Sequence, residues 1–98
     1  MNSPEHYDRY YLTYSGISLP LQLVTPMEKA DTENRNTYFG ALYDDQERTT
    51  LIHKVVYGEV ELEHRYGYHD NGTLQWAEIR DDDDEVQRLE FDTNGQRI

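Results

Sequence analysis

Three histidines lie in the second half of the chain, His53, His64 and His69, with His6 near the start. Imidazole ligates zinc or iron and moves protons near neutral pH. The chain also carries 20 acidic residues and no cysteine, so a metal site here would be built from imidazole and carboxylate. His64 and His69 are the candidate ligands, but they stand an odd step apart, on opposite faces of any continuous strand. His64 alternates with Val60, Leu62 and Tyr66, and a histidine in an apolar row reads first as a core residue with one hydrogen bond. The expectation is no metal and no cofactor.

The run Asp81-Asp82-Asp83-Asp84-Glu85 groups oxygens as calcium would require, yet it lacks the glycine of a calcium-binding bend. It reads as a solvated turn. Nucleophilic catalysis finds no cysteine and no Gly-x-Ser-x-Gly turn, and Ser3, Ser15 and Ser18 have no evident His/Asp constellation. Gly40, Gly58 and Gly67 are isolated, so there is no phosphate-cradling loop. A non-enzymatic protein is the expectation.

Charge gives the stronger lead. Against the 20 acids stand 9 basic residues, a formal charge of −11. Such a field repels nucleic acid and anionic membranes and attracts basic protein surfaces. Glu59, Glu61 and Glu63 recur at every second residue, which on a strand makes a ladder of carboxylates about 6–7 Å apart. Joined by Asp81, Asp82, Asp83, Asp84 and by Asp44-Asp45, it resembles the charge row of a nucleic-acid backbone. The alternative is a charged outer face that only keeps the chain in solution. Nine tyrosines are too many to bury with partners, and exposed tyrosine favours interfaces. Tyr7, Tyr10, Tyr11 and Tyr14 are the candidates.

The elements that must position these residues are strands. Ninety-eight residues suit one domain with a single core. Residues 7–15 alternate as a strand, Ser15-Gly16 turns, and 17–24 is an edge strand or an irregular extended segment, because Pro20 cannot donate to a ladder. Thr25-Pro26-Met27-Glu28 has the form of a capping box with a proline start, predicting one short helix over 26–33. From residue 37 the pattern is hairpins. Val60, Leu62, His64, Tyr66 and Tyr68 share one face of the cleanest alternation, opposite Glu59, Glu61, Glu63 and Arg65. Leu74 and Trp76 share a face opposite Ala77 and Ile79. Gly58 reads equally as a hairpin turn or a bulge in one long strand. Asp70-Asn71-Gly72 is a strong hairpin signal. The predicted fold is mainly β: a single-domain twisted antiparallel meander of about six to eight strands, with at most one short helix near residues 26–33. Residues 1–36 supply a Tyr-rich hairpin and the helix or loop; residues 37–98 supply the meander.

Three units recur at near-even spacing: Tyr43-Asp44-x-x-Glu47-Arg48, Tyr68-His69-Asp70-Asn71-Gly72-Thr73-Leu74 and Phe91-Asp92-Thr93-Asn94-Gly95-Gln96-Arg97. They resemble the YD repeats of Rhs-type and teneurin shells, which implies hairpins stacked along a β-ribbon. The first unit has Glu47 where that pattern has glycine, and the second has His69 before its aspartate. Three units cannot build the shell that encloses a toxin, so that function does not carry over. The whole chain is similar to a small uncharacterised bacterial family of about this length, on Tyr10-Tyr11-Leu12-Thr13-Tyr14-Ser15-Gly16 and on Val55 to His64. That likeness implies no activity.

With no signal-like start and no apolar run near the roughly 18 residues of a membrane span, the expectation is a cytoplasmic protein. Its leading function is a protein-binding module that docks a partner through the acidic strand face and the tyrosines. The partner is a protein with a basic surface, with nucleic-acid-binding proteins among the candidates; neither nucleic acid itself nor a membrane is expected. The alternative is a nucleic-acid-mimic inhibitor of anti-CRISPR or anti-restriction type, and the third reading is a metal-dependent enzyme using the histidines. An edge strand also offers a route to a homo-oligomer.

Overall fold

Four five-residue turns of one design fold the C-terminal two-thirds of the chain. They span residues 44–48, 69–73, 81–85 and 92–96. In each, the first residue's N–H bonds the fifth residue's carbonyl, and the fourth residue's N–H bonds back to the first residue's carbonyl, all at 2.8–3.3 Å. The fourth position has a left-handed backbone: Glu47 (φ 61), Gly72 (φ 90), Asp84 (φ 61) and Gly95 (φ 85). This is the type I turn closed by a left-handed residue that makes three-residue hairpin loops. Asp44, Asp81 and Asp92 each hold their turn with Oδ1, which accepts from the amides two and four residues on. In the second turn Asn71 does this work, accepting from Thr73. The recurrence in the sequence is therefore a recurrence of turn chemistry.

The computed structural model describes residues 6–98. Its strands are β1 (Arg9–Ser15), β2 (Gln22–Met27), β3 (Thr37–Tyr43), β4 (Thr49–Val56), β5 (Glu59–Tyr68), β6 (Leu74–Arg80) and β7 (Val86–Glu90). They form one antiparallel sheet in the order β2-β1-β3-β4-β5-β6-β7. The predicted meander is thus observed, with seven strands. Tyr57 (φ 50) and Gly58 (φ 81) make a tight reversal between β4 and β5, which settles Gly58 as a hairpin turn. The last reversal closes within the chain, with Phe91 bridged to Arg97. Among the described residues no helix is long and apolar enough to cross a membrane.

The sheet has a core on each face. On the first, Phe39, Ala41, Ile52, Tyr66, Ala77 and Leu89 are buried, and Leu19, Leu21 and Leu23 pack over them. On the second, Tyr7, Tyr10, Leu51 and Val55 are buried beside Met27, Tyr38, Leu42 and Val60. β4 is apolar on both faces because it is covered on both, as a central strand must be.

Three local expectations need correction. The predicted helix over 26–33 starting from Thr25 is instead the end of β2 followed by a 3-10 helix, Lys29–Asn34, capped by Glu28 and Asp31. Pairing with β1 holds the strand through Pro26 and Met27, and an edge strand tolerates a residue with no N–H. Second, Val60 and Leu62 do not share a face. The β4–β5 register shifts between Lys54, paired with Leu62, and Val55, paired with Val60. This bulge sends Val60 to the second core and Leu62 to the first face beside His64. Third, a similar shift between Gly67 and Tyr68 skips Gln75 on β6, so Leu74 joins Ala77 and Ile79 in the first core and Trp76 stands apart from them. A bulge inverts side-chain facing on one side of it.

Candidate functional site

Gly40 lies in the middle of β3, opposite Tyr10 on one side and His53 on the other. Its missing side chain is filled: a Cβ at Gly40 would run into the ring of Tyr7. Tyr7 thereby crosses the second face of the sheet, edge-on to Tyr10 and to His53, with ring centroids at 5.8 and 5.6 Å. Its Oη donates to His53 Nδ1 at 2.8 Å. On the far side His53 Nε2–H donates to Glu63 Oε2 at 2.7 Å, and Arg65 Nε donates to Glu63 Oε1 at 2.9 Å. The pairing His53↔Glu63 across β4 and β5 brings the last two links together.

This chain of Tyr7, His53, Glu63 and Arg65 has the residue types of a proton relay, but its interior is sealed. His53 is fully buried and Tyr7 and Glu63 are nearly so. Burial lowers the pKa of His53, and the neighbouring Glu63 only partly opposes it. Burial raises Glu63, yet its bonds from Arg65 and His53 outweigh that and hold it below the ordinary carboxylate range. The contact is thus a neutral imidazole donating to a carboxylate. Burial, with Tyr38, Tyr10 and Glu63 nearby, pushes the Tyr7 phenol well above its usual value. Near neutral pH His53 is thus neutral, Glu63 charged and the Tyr7 phenol protonated, and Tyr7 borders a groove with Met27 and Lys29. What the chain does is fix the register of β3, β4 and β5 and strap Tyr7 across them.

The other histidines are committed elsewhere. His64 Nδ1 pairs with Tyr66 Oη at 2.7 Å, and Tyr66 Oη accepts from the Leu21 amide at 3.2 Å. Burial lowers the His64 pKa to about 4 and, largest among its causes, raises that of Tyr66 to about 12. His69 Nε2 meets the Phe91 carbonyl at 2.9 Å. His64 and His69, the weak metal candidates, are therefore held by different partners and do not share a site. Among the described residues the one metal-like grouping is Asp81, Asp82 and Asp83, and Asp81 already spends its carboxylate on the amides of Asp83 and Glu85.

The residues expected at a partner surface divide. Glu63 is inside the sealed chain, so the ladder Glu59, Glu61, Glu63 loses its third rung to the fold. Tyr7 and Tyr10 are buried in the second core, Tyr11 bonds Tyr43 Oη at 3.0 Å, and Tyr14 alone of the four stays half-exposed, its ring edge on Phe39. The expected tyrosine patch is not formed, because β1 lies inside the sheet rather than over it. Asp44-Asp45 belongs to a turn at the opposite end from residues 81–85. In contrast, Glu59, Glu61, Asp82, Asp83, Asp84 and Glu85 are exposed. The β4–β5 and β6–β7 reversals fall at the same end of the antiparallel sheet, beyond the in-register pair Glu63 and Arg80. Among the described residues the one ion pair made by these six is Arg80 to Asp84 at 3.8 Å. The result is a concentrated acidic end.

Composition could not have revealed the sealed chain, but one signal was present: an unexplained glycine inside an apolar strand marks a close approach, and Gly40 is that residue. No curated protein and no solved structure matches the chain. The model of one family, described as a family of unknown function (DUF6156), matches residues 3–98, and the chain belongs to that family.

Proposed function

We propose that this chain is a non-catalytic binding module whose acidic end, Glu59, Glu61, Asp82, Asp83, Asp84 and Glu85, docks a protein with a basic surface. One observation carries the reading: two separate reversals deliver six exposed carboxylates to one end of the sheet, with Arg80 the only cation among the described residues paired to any of them. Like charges held together destabilise the free protein by self-repulsion, and a basic partner relieves it. The carboxylates that the fold itself engages most, Glu63, Asp44 and Asp81, are not among these six. The three histidines also favour binding over catalysis, since each is engaged with a different internal partner.

The test is affinity capture from the native host with the wild-type chain and with a Glu59→Gln, Glu61→Gln, Asp82→Asn, Asp83→Asn variant. The captured partner should be retained at about 0.05 M salt and released by about 0.5 M, as screening shortens the reach of surface charge. The variant should fold and capture nothing specific. Capture that is indifferent to salt, or equal with the variant, overturns the proposal. If the partner binds nucleic acid, displacement by duplex DNA would narrow the reading to mimicry of a nucleic acid.

A further inference from the structure

The first face carries a cleft of about 380 Å³ beneath the β1–β2 connection, within the size range of small-molecule sites. Its walls are apolar: Phe39, Leu62 and Ile79 from the sheet, Leu19 and Leu21 from the connection. Ile17 stands at its rim, 96% exposed. In a chain with 20 acidic residues, no carboxylate lines this cleft, whereas Lys54 and His64 both do.

Both cationic or donor groups are free to act. Lys54 is half-buried between its cross-strand neighbours Phe39 and Leu62, and among the described residues it has neither an ion pair nor a side-chain hydrogen bond. Tyr66 Oη accepts from Leu21, and among the described residues its own proton has no acceptor other than His64 Nδ1. That leaves the neutral ring with its proton on Nε2, for which the described residues supply no partner. No side-chain nitrogen or oxygen is both buried and unpartnered, so Nε2 keeps accessible surface, and the cleft lined by His64 is where it opens. His64 is otherwise more than nine-tenths buried. Lys54 and His64 are diagonal neighbours on β4 and β5, roughly 7–8 Å apart, a gap that one carboxylate bridges.

We infer that this cleft binds an amphipathic monocarboxylate, its hydrocarbon on Phe39, Leu62 and Ile79 and its carboxylate held between the Lys54 ammonium and the His64 Nε2–H. None of the six residues of the acidic end lines this cleft, although Ile79 also borders the groove of Asp81 and Glu85, and the cleft's charge is of the opposite sign.

Decanoate is the probe, titrated into the full chain and followed by NMR, with decan-1-ol as the uncharged control. Saturable shifts should appear at Lys54, Leu62, His64 and Ile79, and decanoate should bind roughly tenfold tighter than decan-1-ol, since a charge-assisted pair is added to the same apolar burial. Lys54→Met keeps the apolar stem and should remove that advantage while leaving decan-1-ol binding unchanged; Lys54→Gln serves as a second variant should the first not fold. Equal affinity for the acid and the alcohol overturns the inference. So does undiminished decanoate binding in the folded variant, or an absence of saturable shifts at these residues.

Discussion

The acidic end and the sealed polar chain share strand β5, and the contrast between them separates two uses of the same side chain. Glu61 and Glu63 are two residues apart. Glu61 is exposed with its carboxylate in water, while Glu63 is buried and accepts from His53 and Arg65. The difference arises from what lies across the strands. Beyond the β4–β5 bulge, Glu63 faces His53, whose other side is closed by Tyr7 lying over Gly40. Glu61 lies at the bulge itself and has no such neighbour. A buried carboxylate without partners would be strongly destabilising, and with them it fixes which residues must face each other. A surface carboxylate costs the fold little and remains available to a partner.

The largest effect should come from removing the lid on that chain. Tyr7→Ala should destabilise by about 3–5 kcal/mol, as for other buried aromatics, and Gly40→Ala by about 3 kcal/mol because its methyl evicts the same ring. The double variant should cost little more than either alone; full additivity in urea unfolding would show that Tyr7 does not depend on Gly40.

Acid provides the next test. His64 is neutral in the fold, with its pKa lowered from 6.5 to about 4. The unfolded chain takes up that proton first, so the stability held above about pH 6.5 drains as pH falls toward 4, by about 3 kcal/mol in all. His53, also lowered, adds to the loss below 6.5, and Glu63, held low, adds to it below its ordinary value of 4.5. His64→Gln should flatten the curve between pH 6.5 and 4, and an unchanged slope would place the acid sensitivity elsewhere.

Smaller effects sharpen the boundary between the two regions. Tyr7→Phe leaves His53 Nδ1 without its donor and should cost about 1–2 kcal/mol. At the acidic end the same division runs inside one turn. Asp81→Ala removes the acceptor of two backbone amides and should cost about 1 kcal/mol, whereas Asp83→Asn should stay within about 0.5 kcal/mol. Similar losses for the two substitutions would mean that the 81–85 turn is held by something other than Asp81.

Much of the fold was legible because hairpin chemistry is local. The Asn71-Gly72 pair and the aromatic-led units at Tyr43 and Phe91 announce their turns in a few residues. The 81–85 turn is legible as an acidic turn but not as a further copy of the unit, since Asp81 follows Arg80 rather than an aromatic, and Asp84 takes the left-handed position in place of glycine. Facing was legible only as far as the nearest bulge: nothing near Val60 or Gln75 records the register shifts that move Val60 and Leu74 across the sheet. The helix was misplaced because Thr25-Pro26 satisfies a local capping rule that pairing with β1 overrides. The candidate sites suffered most, since burial is a property of distant residues. Glu63 and Tyr7 look like surface groups in the sequence and are joined only when residues 7, 40, 53 and 63 meet.

The central claim, that β5 carries a structural acid beside a surface acid, is tested most directly by thermal unfolding of Glu61→Gln and Glu63→Gln side by side at neutral pH. Glu63→Gln should lose about 2 kcal/mol or more, lowering the midpoint by roughly 8–16 °C, while Glu61→Gln should stay within about 2 °C of wild type. Equal midpoints for the two variants would contradict the account.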